Sequence, residues 1–228
     1  MNDFVDAIRF IPDNAGLLWD KTVEHLALSG AAIGIALAIA VPLGVWLGHI
    51  HRGSFLAINV ANIGRALPSL AVIALGLAVF DLGFTNVMFA LIVLAVPPIL
   101  TNVYVGVDSV DRDAVEAARG MGMSGTQVLW RVELPLALPL IFTGIRTAVV
   151  YVIATATLAA IAGGGGLGEI IVNQASYRLA GVLGAAIVVT VLAVGADVAL
   201  AGLQRLITPR PLRRVRRGRA SAVAMQRG

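Results

Sequence analysis

Few residues in this 228-residue chain could carry acid–base, metal or phosphate chemistry, and their spacing is wrong for most of it. There is no cysteine, so disulfides, thiolate metal sites and cysteine nucleophiles are excluded. The single lysine, Lys21, precedes Thr22, as in a phosphate-cradling loop. However, Asp20 stands directly before it, and no glycine lies five residues further back. The chain does not hydrolyse ATP by that route. Gly163–Gly168 (GGGGLG) formally fits G-x-G-x-x-G, but it follows an apolar helix rather than a strand. It reads as a helix terminator leading into a flexible outer loop. His25, His49 and His51 have no third ligand near them and read as solvated loop histidines, not a metal site. Three charges interrupt apolar stretches: Arg65, Arg146 and Asp197. Such charges pair, snorkel to an interface, or line a pathway. Arg146 and Asp197 suit snorkelling or mutual pairing, with a proton relay as the alternative. For Arg65, packing and a pathway role stand level.

The elements that hold these residues are membrane helices. Hydrophobic residues make up 58% of the chain and charged ones 13%, against roughly 25% charge in soluble domains. Such a composition cannot cover a body facing water on all sides. A bilayer core needs about 20 apolar helical residues. Spans are predicted at about 26–48, 54–80, 83–107, 139–162 and 179–203, the second broken or kinked at Pro68. Residues 1–25 are predicted to form an outer interfacial segment, which is acidic, interrupted by Pro12 and unlike a cleavable leader. Gly30-x-x-x-Gly34 and Gly44-x-x-x-Gly48 read as close-packing pairs. The fold class is therefore an all-α integral membrane protein with about five transmembrane helices.

The one long connection, 108–138, carries the strongest signal. Its core reads Asp111-Arg-Asp-Ala-Val-Glu-Ala-Ala-Arg-Gly-Met-Gly-Met-Ser-Gly-Thr-Gln-Val-Leu-Trp-Arg-Val-Glu-Leu-Pro135. Two short helices fit it, about Asp113–Met121 and Thr126–Leu134, joined by a glycine turn and closed by Pro135. A short amphipathic pair of this kind is a docking surface.

Glu116-Ala117-Ala118, then Gly122, then Val132-x-Leu134-Pro135 resembles the EAA motif of the membrane subunits of ABC importers, with valine replacing the usual isoleucine. That resemblance implies a type I importer permease fold. Glu116, Ala117, Ala118, Gly122, Val132, Leu134 and Pro135 would then form the coupling element seated in a groove of an ATPase subunit. Further stretches are similar to the osmoprotectant permeases: Thr22–Ser29, Pro42-Leu-Gly44, Arg65–Ala71, Gly120-Met-Gly-Met123, Arg131–Pro139, Gly144–Thr147 and Ala162–Gly168. The similarity implies import of glycine betaine, choline, carnitine or proline betaine across the bacterial cytoplasmic membrane. It also implies ABC ATPase subunits that bind the ATP and Mg, a second permease subunit (identical or paralogous) and an extracytoplasmic substrate-binding protein. The chain itself would bind no cofactor and catalyse no reaction. Arg65, Pro68, Ser69 and Gly163, Gly164, Gly165 and Gly166 are candidate pathway or gate residues. An ABC permease for another solute such as an amino acid, and an ion-coupled secondary transporter, are the alternatives.

Twelve basic residues fall on one side of the predicted spans: Arg52, Arg112, Arg119, Arg131 and eight arginines from Arg205 onward. Arg9, Lys21 and Arg178 fall on the other. The positive-inside rule places the long loop and the C-terminus in the cytoplasm and the N-terminus outside. The arginine-rich tail, 207–228, then serves topology and lipid contact rather than nucleic acid. In this cysteine-free chain, an impermeant thiol reagent applied to intact cells is expected to label Asp13→Cys but not Ser221→Cys. The reverse pattern would invert the topology.

Overall fold

The computed structural model describes residues 2–208, apart from the side chains of Asn2, Leu56, Ile58 and Arg65. The basic tail from residue 209 onward lies outside the described residues. The described chain runs through helices α1 (Asn2–Asp13), α2 (Ala15–His49), α3 (Ser54–Ala66), α4 (Ser69–Phe80) and α5 (Phe84–Asp108). Then follow α6 (Arg112–Gly120), α7 (Gly125–Val128), a π-helical segment (Leu129–Glu133) and α8 (Leu134–Thr155). A 3-10 segment (Ala156–Ala162), α9 (Gly168–Val172) and α10 (Gln174–Ile207) complete it. Among the described residues, four helical runs are long and apolar enough to cross a bilayer: Ala15–His49, Phe84–Asp108, Gly125–Ala162 and Gln174–Ile207. The remaining predicted span, 54–80, consists of α3 and α4, neither long enough alone. They are separated where Leu67 turns extended ahead of Pro68, as the residue before a proline is driven to do.

Helix α5 is the axis of the molecule. It packs against α2, α3, α4 and α8, and Leu91, Leu94, Ile99, Leu100 and Val103 are almost wholly buried along it. The tightest seam is with α2, which presents Leu28, Ala32, Ala36, Ala40, Gly44 and Gly48 at four-residue intervals, all buried. Of the two predicted glycine pairs, only one packs. A side chain on Gly44 or Gly48 would run into Val103 or Val107, whereas Gly30 and Gly34 have nothing within 4 Å. The alanines, with Gly44 and Gly48, make the stripe. Spacing alone could not say which face of the helix turned inward.

Two further expectations change. Residues 1–25 are not one interfacial segment: α1 folds back onto α10, burying Ala7 and setting Phe10 against Gly181 and Gly184, and α2 already begins at Ala15. Nor does Pro135 end the second loop helix. It falls in the first turn of α8, where its missing N–H costs little. Immediately before it the Leu134 N–H bonds to the Leu129 carbonyl, five residues back, so the widened π turn absorbs the ring. Helix therefore continues from Gly125 to Ala162, 38 residues.

Seams of this closeness tolerate no added volume. A Cβ on Gly144 would lie 2.6 Å from Asn102 Cβ and 2.8 Å from the Pro98 carbonyl oxygen, a backbone atom that cannot step aside. Gly144→Val is expected to cost about 1–3 kcal/mol as an overpacked core, while Gly30→Ala leaves stability unchanged or slightly raised. Thermal unfolding in detergent, followed by circular dichroism, checks both.

Candidate functional site

The loop between α5 and α8 is a small folded body with its own core. The Asp111 side chain accepts a hydrogen bond from the Asp113 N–H at 2.9 Å and caps α6. Ser124 and Gln127 close a reciprocal capping box that starts α7. Between them the chain reverses at Gly122, whose φ of +84° lies in the left-handed region that favours glycine. Val110, Val115, Ala118 and Val128 fill the interior, with Met123 and Val132 packed on them.

The structure divides the signature residues by direction. Ala118 and Val132 belong to the loop's core, and Leu134 packs against the bundle's core, with Pro135 beside it and half-buried. Glu116, Ala117 and Gly122 face outward, and no neighbour stands within 4 Å of where a Gly122 side chain would project. Around them lie Met121 and Trp130, 72% and 66% exposed. Neither was among the coupling residues the motif implied, although Met121 lies in the Gly120–Met123 stretch and a tryptophan and a methionine in a polar loop were the available clue.

Each histidine has a partner, and of the three only His51 is exposed. His49 Nδ1–H donates to Glu133 Oε2 at 2.6 Å, and His51 Nδ1–H donates to Asp108 Oδ1 at 2.9 Å. At the opposite end of the molecule His25 is fully buried and donates through Nε2–H to the Ile153 carbonyl at 2.9 Å. Their partners lie 57 to 128 residues away, so no local pattern announces them.

Gly163–Gly166 is a seated turn rather than a flexible loop. Gly163, Gly165 and Gly166 have φ of +77°, +77° and +75°, and Gly165, Gly166 and Leu167 are buried. Gly166 lies against His25, Gly165 lies against Glu24, and the Gly83 N–H donates to the Ala162 carbonyl at 2.7 Å. Lys21 bridges Glu24 and Glu169, tying α2 to α9. Pro68 and Ser69 stand at the far end of α4 from this turn, separated by about 18 Å at 1.5 Å per residue, so the candidate gate residues are not one cluster. Arg65 is in the last turn of α3, and its side chain is outside the described residues.

Two adjoining clefts flank α8. One, of about 510 Å³, is lined by Ala61, Gly64, Leu94, Pro97, Pro98, Thr101, Asn102, Thr143, Thr147 and Tyr151. The other, of about 710 Å³, shares Thr143, Thr147 and Tyr151 and adds Arg146, Val150, Ala154, Asp197 and Gln204. Arg146 donates through Nε–H and Nη2–H to the two oxygens of Asp197, both at 2.8 Å. The side chains retain 30% and 35% exposure, so a mutual pair at span depth faces the cleft rather than snorkelling away. Asp197→Asn, which leaves the guanidinium without its counter-charge, is expected to lower the unfolding temperature. The double variant Arg146→Met with Asp197→Leu is expected to recover most of that. Thermal unfolding in detergent tests both, and equal losses in single and double variants would contradict the pairing.

A bundle of apolar helices with a folded, outward-facing loop feeding directly into a span is the architecture of a multi-pass membrane protein. The chain belongs to the family of binding-protein-dependent transport system inner membrane components, whose pattern it matches over residues 40–213. It is 40% identical over 206 residues to the glycine betaine/carnitine/choline transport system permease protein OpuCB of Bacillus subtilis, covering 90% of this chain and 95% of that one. It is 39% identical to the choline transport system permease protein OpuBB of the same organism, covering 92% and 97%. With the osmoprotectant import permease protein OsmW of Salmonella typhimurium it shares 37%, covering 92% and 100%. In fold it is similar to a chain of the MetNI methionine ABC transporter in inward-facing form, with a TM-score of 0.73, 22% identity and coverage of 86% and 98%. The protein is therefore a multi-pass transport subunit of the ABC importer type.

Proposed function

We propose that this permease passes a quaternary-amine osmoprotectant, such as glycine betaine, choline, carnitine or proline betaine, driven by ATP hydrolysis on a partner subunit. The observation that carries the reading is the coupling loop. It is a folded body whose outer face (Glu116, Ala117, Met121, Gly122, Trp130) has no counterpart among the described residues, and whose last helix is continuous with a span. In this reading the outer face seats in an ATPase subunit, and closure of the ATPase pair displaces the loop. Because helix runs unbroken from Gly125 to Ala162, the displacement passes along α8 without a hinge. A second permease and an extracytoplasmic binding protein complete the assembly, with the N-terminus outside and the loop and C-terminus in the cytoplasm.

The polar stripe on α8 is the proposed pathway wall. The Thr143 and Thr147 hydroxyls donate to the carbonyls of Pro139 and Thr143 at 2.8 and 2.9 Å, which leaves them no donor to impose on a substrate. A quaternary ammonium has no proton to give and is held by aromatic faces and diffuse charge. Tyr151, common to both clefts, offers such a face beside the Arg146–Asp197 pair. That pair is already neutralised internally, which argues against an ion-coupled relay. An amino acid remains the second candidate, since the methionine transporter has the same fold. The names borne by relatives at 37–40% identity favour the quaternary amines.

Gly122→Asp tests the loop. A charge placed in a desolvated docking contact costs several kcal/mol when unpaired, and the positive φ strains any side chain further. The variant is expected to insert normally, to lose its ATPase in a pull-down, and to abolish ATP-dependent uptake of radiolabelled glycine betaine in vesicles. Glu116→Ala, an exposed carboxylate in a helix, is expected to cost only about 0.3–1 kcal/mol and to retain uptake. Full uptake by Gly122→Asp would remove the loop from the mechanism.

A further inference from the structure

Glu133 is the only carboxylate fully buried among the described residues, 1% exposed, and it sits in the π-helical segment one residue before α8. Burying a carboxylate is expensive unless it is paired. Its only hydrogen-bond partner among the described residues is His49 Nδ1, at 2.6 Å, and its Oε1 has none. His49 is the last residue of α2. The imidazole also faces the other end of the same loop helix, since a Cβ on Gly125 would lie 3.7 Å from its Nε2. One ring thus touches the loop helix where it starts and where it widens. Two residues further on, His51 bonds Asp108 at the end of α5, and its own φ of +50° is held against preference. The turn between α2 and α3 is fastened on both sides.

The widened turn makes this fastening more than packing. A π segment holds one residue more than the α-helical turn it replaces, so a small change in register moves the side chain it presents. The loop core, centred on Val115, Ala118 and Val128, prevents the loop itself from absorbing a displacement. The π segment joins that body to α8 without a break, and Glu133 is the side chain by which it grips α2.

Building on the importer reading above, we propose that the His49–Glu133 bond is the joint through which displacement of the coupling loop reaches the first span. Both are positioning residues, and neither touches substrate or nucleotide. Without the joint, the loop still docks and ATP is still cleaved, but α2 does not follow α8.

The test uses the complete importer in proteoliposomes with its ATPase and loaded binding protein, measuring ATP turnover and glycine betaine imported in the same sample. His49→Leu alone strands a buried carboxylate and can fail to fold, so the deciding variant is His49→Leu with Glu133→Leu, which removes both polar groups together. This double variant is expected to keep its ATPase partner and its KM for loaded binding protein, while importing roughly tenfold fewer molecules per ATP, within the reach of substitutions along a coupling network. His49→Asn, whose amide N–H can stand where Nδ1–H does, is expected to restore most of the coupling. Wild-type stoichiometry in the double variant, or no rescue by His49→Asn, would overturn the joint alone. Absence of ATP-driven uptake in the unaltered protein would instead overturn the importer reading, and the joint with it.

Discussion

Helices in a bilayer gain nothing from merely being apolar towards one another, because lipid is equally apolar. What holds this bundle together is closeness of approach, and the decisive instance is the seam between α2 and α5. The row Ala32, Ala36, Ala40, Gly44 and Gly48 lets the backbone of α2 come down onto Val103 and Val107. Gly144 does the same for α8 against Asn102 and the Pro98 carbonyl, and Gly64 for α3 against the Pro97 ring. The central helix is thereby clasped from three sides by small residues. With that clasp in place the polar groups find partners: His25 reaches Ile153, and His49 reaches Glu133. A larger residue in the stripe would do more than open a gap. It would separate those pairs and leave polar groups stranded.

Much of this was legible in the sequence, because the underlying physics is local. Long uncharged stretches announce helices, Pro68 announces a break, and the spacing from Glu116 to Pro135 announces the loop. The Arg146–Asp197 pair was foreshadowed by two opposite charges in otherwise apolar segments, which have few other ways of being tolerated. What stayed hidden depended on geometry between distant segments. Gly30 and Gly34 share a spacing with Gly44 and Gly48 yet face the other way, and only the neighbours decide that. The four-glycine run reads as flexible until the side chains of Glu24 and His25 are seen filling the space beside it.

Pro135 is the most instructive departure. Proline ends helices because it lacks an N–H and collides with the preceding turn, and on that rule the loop should have been detached from the span. Widening the turn from Leu129 to Glu133 removes the collision, and the same widening buries Glu133. A local steric problem and a long-range hydrogen bond are thus met by one change of register, which neither residue type alone would suggest.

The unbroken helix from Gly125 to Ala162 has a further consequence, in simple lever terms. At about 1.5 Å per residue its 38 residues make a rod of roughly 57 Å, nearly twice the thickness of a bilayer core. A rotation of about 10° around its midpoint carries each end roughly 5 Å, in opposite directions. One end bears the folded loop, and the other bears Ala162, whose carbonyl holds the start of α5 through Gly83. Pushing the first end in one sense swings the second in the other, so the loop end and the Gly83–Ala162 end of the rod move as one lever.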